Sequence, residues 1–150
     1  MTRRSGFTLI ELVIVIIVGG LILTIVGRAL GDVRQRIAAD QALKTFESMH
    51  ARARAHAIER GTDVFLTLDT TGDSASIRIG ADVIETIHFG AELGVDVSSN
   101  AAVNPVQVCM TARGYGDSDC MSYNNTLTVF FGARGDTASI QLLPLGQLKR

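Results

Sequence analysis

Residues 1–27 read MTRRSGFTLIELVIVIIVGGLILTIVG. Between Phe7 and Gly27 the one charged residue is Glu11. As a helix this run would extend roughly 30 Å, about the thickness of a bilayer's hydrocarbon core. Arg3 and Arg4 precede it, and the positive-inside tendency predicts a cytoplasmic N-terminus with the rest of the chain across the membrane. A plain membrane anchor would satisfy that much. So would a secretory signal peptide, with Gly27-Arg28-Ala29 as a small-x-small cleavage site. Neither explains the acid. A carboxylate inside hydrocarbon costs roughly 3 kcal/mol on insertion scales and marks a function with a partner charge.

Ser5-Gly6-Phe7-Thr8-Leu9-Ile10-Glu11-Leu12, behind its basic leader, resembles the N-terminus of type IV pilins and of the pseudopilins of type II secretion. The resemblance implies cleavage after Gly6 by a prepilin peptidase on the cytoplasmic side. It also implies methylation of the new amine, on Phe7, by the same enzyme. Glu11 would then be an assembly residue: its carboxylate neutralises the cationic Phe7 amine of a neighbouring subunit, and buried charges are tolerated when paired. The domains expected are a leader over residues 1–6, a membrane-spanning or filament-core helix over 7–30, an amphipathic stem over 31–60 and a periplasmic head over 61–150.

The near-neutral total charge conceals an asymmetry. Residues 28–60 hold seven basic and four acidic side chains, whereas residues 61–150 hold five basic and ten acidic. A basic stem carries an acidic head, which argues against wholesale nucleic-acid binding by the head. Beyond Gly31, Val33, Ile37, Leu43, Phe46, Met49, Ala53 and Ala57 recur at helical spacing up to Arg60-Gly61, a stop signal. The spacing predicts one helix from Phe7 to Arg60. Arg34, Arg36, Arg52 and Arg54 on its far side read as a solvated face or as contacts between subunits. Gly19-Gly20 would either loosen the helix locally or permit close helix packing in a membrane.

After Gly61 the period changes to two. Thr62–Asp69, Ala75–Ile79, Val83–Phe89, Val95–Ser98, Val106–Met110, Thr126–Phe131 and Thr137–Leu143 are the expected strands. The fold class is therefore α+β: a long N-terminal helix, membrane-spanning in its first half and amphipathic in its second, packed against a mostly antiparallel β head. Cys109 and Cys120 would form a disulfide if the head lies outside the cytoplasm, and stay thiols within it.

No arrangement for catalysis is legible, and no cofactor or metal is expected. His50, His56 and His88 have no evident partners, and Asp117-Ser118-Asp119 lacks the further oxygen ligands a calcium site needs. Arg134-Gly135-Asp136 spells an adhesion tripeptide but reads as a hairpin turn, and the sequon Asn124-Asn125-Thr126 reads as the opening of a strand.

The chain lacks tryptophan and any Asp-Pro-Trp-Gly-like run, unlike major pseudopilins, and Glu11 disfavours the tip-capping type. It resembles the H-type minor pseudopilin of type II secretion and its relative, the FimT-like minor pilin. That resemblance rests on Ala51–Gly61, Val108-Cys109 with Cys120, Thr128–Gly135 and the closing Gly146-Gln147-Leu148-Lys149-Arg150. It implies other major and minor pseudopilins, the prepilin peptidase/methyltransferase and an inner-membrane assembly platform as partners. It further implies a single-pass inner-membrane location with a periplasmic head. The alternative is a FimT-like pilin serving pilus assembly or DNA uptake. Some of those pilins carry a C-terminal Gly-Arg-x-Arg element; here Gln147 and Lys149 replace its arginines, leaving Lys149 and Arg150 as weak phosphate contacts. The structural pseudopilin is the preferred reading.

Overall fold

The computed structural model describes residues 8–133 and 135–149, with the side chains of residues 25–32 excepted. Gly6, Phe7, Arg134 and Arg150 lie outside the described residues. Helix α1 spans Leu9–Arg60 without interruption, so Gly19-Gly20 produces no break in it. The chain divides into two units, residues 1–34 and 35–150. In the first, the aliphatic side chains from Leu9 to Leu23 are exposed on every face of the helix.

The second unit is built on two four-stranded antiparallel sheets. The strands are β1 Val64–Asp69, β2 Ser74–Ile79, β3 Asp82–His88, β4 Asp96–Ser99, β5 Val106–Met110, β6 Leu127–Ala133, β7 Asp136–Leu142 and β8 Leu148–Lys149. Their order is β3-β2-β1-β5 in the first sheet and β4-β6-β7-β8 in the second. β6 and β7 meet at Ala133 and Asp136, so Arg134-Gly135 is the two-residue loop of a hairpin. Phe89, expected to end a strand, instead starts the short helix α2, Phe89–Leu93.

Every second residue of β1 and β6 is buried, because a strand alternates its side chains between two faces. The inward faces meet a stripe of α1 made of Ala39, Ala42, Leu43, Phe46, Met49, His50, Ala53 and Ala57, which returns to the same face of the helix every turn. Val33 and Ile37, expected on that stripe, are exposed. The small residues Ala39 and Ala42 take up the contact instead. Phe131 sits between Phe46, with ring centroids 5.7 Å apart, and Phe89, at 5.4 Å and edge-on. Three aromatic rings thus join the helix, the second sheet and α2.

Asp73 couples the sheets. Its backbone is left-handed, its carbonyl accepts the N–H groups of Phe89 (2.8 Å) and Gly90 (3.4 Å), and its carboxylate accepts Val97 N–H at 2.7 Å. Gly94 then ends α2 in the left-handed region, with its N–H on the Gly90 carbonyl.

The outer edge of β5 is closed by the segment that follows it. Cys109 and Cys120 are disulfide-bonded across Cα atoms 5.8 Å apart. Asp117 N–H donates to the Cys109 carbonyl at 3.3 Å, and Ser122 N–H to that of Gln107 at 3.1 Å. Gly116 lies so near the turn before β8 that a Cβ there would fall 2.7 Å from Gly146 N and 2.8 Å from Leu145 C. Both neighbours are backbone, so nothing can yield cheaply. A Cβ on Gly132, by contrast, would meet only the Asp96 carbonyl oxygen, at 3.8 Å.

Two stability predictions follow from this packing. Phe131→Ala removes the ring shared by both aromatic contacts and should cost about 3–5 kcal/mol in urea unfolding. Gly116→Ala should lower the midpoint, while Gly132→Ala, where the added methyl meets no close neighbour, should leave it nearly unchanged.

Candidate functional site

The N-terminal turn of α1 is where the sequence places its chemistry. Thr8 and Glu11 form a reciprocal pair there. Thr8 Oγ1 accepts Glu11 N–H at 3.3 Å, and Glu11 Oε2 accepts Thr8 N–H at 3.5 Å. This is a capping box, the arrangement that satisfies two backbone donors a helix start leaves unpaired. Its sequence signature is Thr8-x-x-Glu11, and it gives Glu11 a role beside the expected pairing with a neighbouring amine. Beyond the cap, Leu9 to Leu23 present apolar surface all round, and a helix of that kind needs apolar surroundings that its own turns cannot supply. Among the described residues no helix is long and apolar enough to cross a membrane. The ends of the apolar run, Phe7 and the side chains of residues 25–27, fall outside them.

Two of the four arginines read as a solvated or intersubunit face are tied to the head of their own chain. Arg36 Nε lies 3.2 Å from Asp136 Oδ1. Arg52 grips Glu85 with both sides of its guanidinium, Nε to Oε2 at 2.9 Å and the second nitrogen to Oε1 at 2.7 Å. Planar two-point pairing of this kind fixes orientation, so Arg52 locks β3 against the helix. Arg34 and Arg54 are exposed.

His50, expected to lack a partner, has one. Its Nε2 lies 2.8 Å from the Gly146 carbonyl, so the neutral ring donates there and holds the turn that leads into β8. Burial, opposed by the bond to Gly146 and aided by the nearby Arg54 charge, pushes the imidazole below its ordinary 6.5. His56 Nδ1 stands 3.8 Å from Glu59, one turn on.

Elsewhere the head offers little chemistry. Asp117 Oδ1 accepts Asp119 N–H, so the Asp117 carboxylate is engaged by its own loop. Among the described residues no group of acids, histidines or cysteines could hold a metal ion. Lys149 is exposed on β8 opposite Gln141. An uncharged cleft of about 390 Å³ lies by Asn100, Ser122, Tyr123 and Asn125. Burial pushes the Tyr123 phenol up to about 12.

Residues 1–27 match the family described as the prokaryotic N-terminal methylation motif. The chain thus joins the methylation motif of type IV pilin-like proteins to the pilin fold, a long N-terminal helix packed on an antiparallel head. Among solved structures it is similar to the minor pilin FimU of Pseudomonas aeruginosa, at 15% identity over 76% of this chain and 88% of that one, with a TM-score of 0.59. It is also similar to the minor pseudopilin EpsH from the type 2 secretion system of Vibrio cholerae, at 11% identity over 74% and 94%, with a TM-score of 0.54. No curated protein matches it in sequence.

The depressed His50 value makes the head sensitive to acid. The unfolded chain binds the His50 proton more readily than the folded one, so proton uptake favours unfolding. The His50 contribution is present above about pH 6.5, the unfolded value, and is lost as pH falls below it. Unfolding midpoints measured between pH 7.5 and 5 should fall with pH, and His50→Gln should flatten that slope.

Proposed function

We propose that this chain is a minor subunit of a type IV pilin-like filament, first of all a minor pseudopilin of a type II secretion system. Before assembly it sits in the inner membrane by the helix over residues 7–30, with its leader cytoplasmic and its head periplasmic. A prepilin peptidase removes residues 1–6 between Gly6 and Phe7 and methylates the Phe7 amine. The processed subunit passes to the assembly platform and joins other pilins or pseudopilins, helix against helix. Its role is mechanical. The fibre pushes folded proteins outward, and the free energy for that comes from partner proteins.

The observation that carries this reading is an all-round apolar helix that opens on a single acid behind the methylation motif. Surface of that kind is stable in lipid before assembly and against like helices after it. The likeness to FimU supports a second reading, a minor subunit of a type IV pilus. DNA uptake is the weakest form of it. Lys149 is the one cation of the closing stretch among the described residues, and the head it sits on is acidic.

The capping box gives Glu11 a role within its own chain, and one substitution separates that role from charge pairing. Glu11→Gln keeps an acceptor for Thr8 N–H but loses the charge. It should leave leader cleavage intact, seen as a mobility shift. It should reduce incorporation into the sheared fibre at least about tenfold, since breaking a buried ion pair costs roughly 3–5 kcal/mol. Wild-type incorporation of Glu11→Gln would reduce Glu11 to a helix cap. Deleting the gene should lower exoprotein release on the first reading and surface piliation on the second.

A further inference from the structure

Between the loop that follows β4 and the segment that leads into β6 lies the cleft lined by Asn100, Ser122, Tyr123, Asn124 and Asn125. Its volume of about 390 Å³ falls within the roughly 300–1,000 Å³ usual for small-ligand sites. Both rims are held by hydrogen bonds of the fold itself. Asn100 ties one rim to β6, with Nδ2 donating to the Thr126 carbonyl at 3.3 Å and Oδ1 accepting Thr128 N–H at 2.8 Å. Ser122 ties the other to β5, its N–H donating to the Gln107 carbonyl at 3.1 Å. The cleft is therefore a preformed feature of the head.

Three consecutive side chains of this lining carry hydrogen-bonding groups with no partner among the described residues. Tyr123 is only 9% exposed, and its hydroxyl is buried and unpaired. A hydroxyl left in that condition is a net cost to the folded chain. Asn124 and Asn125 are exposed, and their amides make no side-chain hydrogen bond. One unpaired group thus lies in the wall and two stand at the mouth.

We propose that this cleft binds a neutral saccharide of one or two rings. No charged side chain lines it, so a phosphate or a carboxylate finds no counter-charge there. The Tyr123 ring is too buried to serve as a stacking platform for a nucleobase. An extended peptide is disfavoured by the neighbouring sheet edge. β4 is the outermost strand of its sheet, but its Val97 N–H is already taken by Asp73 Oδ1 at 2.7 Å, so a strand cannot add along that edge and run on into the cleft. What the lining offers is two amides and a phenol, neutral groups that both donate and accept, and sugar hydroxyls have the same double capacity. A sugar hydroxyl seated beside Tyr123 gives the phenol the partner that the fold does not. The inference goes beyond the filament reading and does not depend on it.

The test is an NMR titration of the full-length, isotope-labelled chain with cellobiose and with N,N′-diacetylchitobiose. The chain is held in lipid nanodiscs, so that no sugar-headed detergent competes. The side-chain amide signals of Asn124 and Asn125 should shift saturably with at least one of the two disaccharides, at a Kd at or below about 1 mM. Tyr123→Phe should weaken that binding at least about fivefold, while the urea midpoint of the free protein stays or rises, because the group removed had no partner. Asn125→Ala should weaken binding without moving the midpoint. No saturation by either disaccharide up to about 10 mM would overturn the proposal, as would binding that both substitutions leave intact. A fall in the Tyr123→Phe midpoint would show the hydroxyl already paired in the free head, and would also overturn it. Saturation by tetraglycine amide alone would overturn it in favour of a peptide main chain.

Discussion

A helix that is apolar on every side sets the terms for this protein. From Leu9 to Leu23 there is no polar face to turn toward water, and none of these side chains is covered by its own chain. Burying one leucine-sized side chain is worth about 1.5–3 kcal/mol, so a run of this length cannot remain in water. It must lie in lipid or against other apolar helices. The uninterrupted course of α1 through Gly19-Gly20 keeps that surface on one continuous helix.

The head has the opposite task. Its core holds the second half of the same helix, from Ala39 to Ala57, along one joint. The Phe46–Phe131–Phe89 contacts fill the joint with rings, and the Arg52–Glu85 pair fixes β3 from outside. These work differently. The rings contribute most of the cohesion, while a half-exposed ion pair contributes at most about 1 kcal/mol and mainly sets direction. His50 adds a third restraint by tying the turn before β8 to the stem.

What could be read from residues alone followed the range of the interactions. The helix over the stem and the strands were legible because burial repeats with a local period, and β5 emerged with the bounds expected for it. The stripe was drawn too far toward the N-terminus because Val33 and Ile37 continue the spacing after the sheets cease to cover it. Helix α2 was missed because five residues carry no period; it is created by the Asp73 carbonyl and ended by Gly94. Arg52 with Glu85, and His50 with Gly146, are 33 and 96 residues apart, and nothing local announces either pair. The capping box was different. Its Thr8-x-x-Glu11 signature is local and legible, but the same acid also fits the charge-pairing pattern of the apolar run.

Those two uses of Glu11 are compatible, and together they narrow why the residue is an acid. At a helix start in an apolar setting, unpaired N–H groups are costly, and Thr8 with Glu11 satisfies two of them. A glutamine would serve that purpose as well, without the cost of placing a charge near hydrocarbon. Capping therefore accounts for a polar side chain at position 11 but not for the choice of an acid over an amide. The carboxylate's contact to Thr8 is long, at 3.5 Å, and engages one of several lone-pair positions, which leaves it able to accept a stronger donor. On the proposed reading the donor is the methylated amine of a neighbour. The cap then holds the acid in place for a partner that arrives only on assembly.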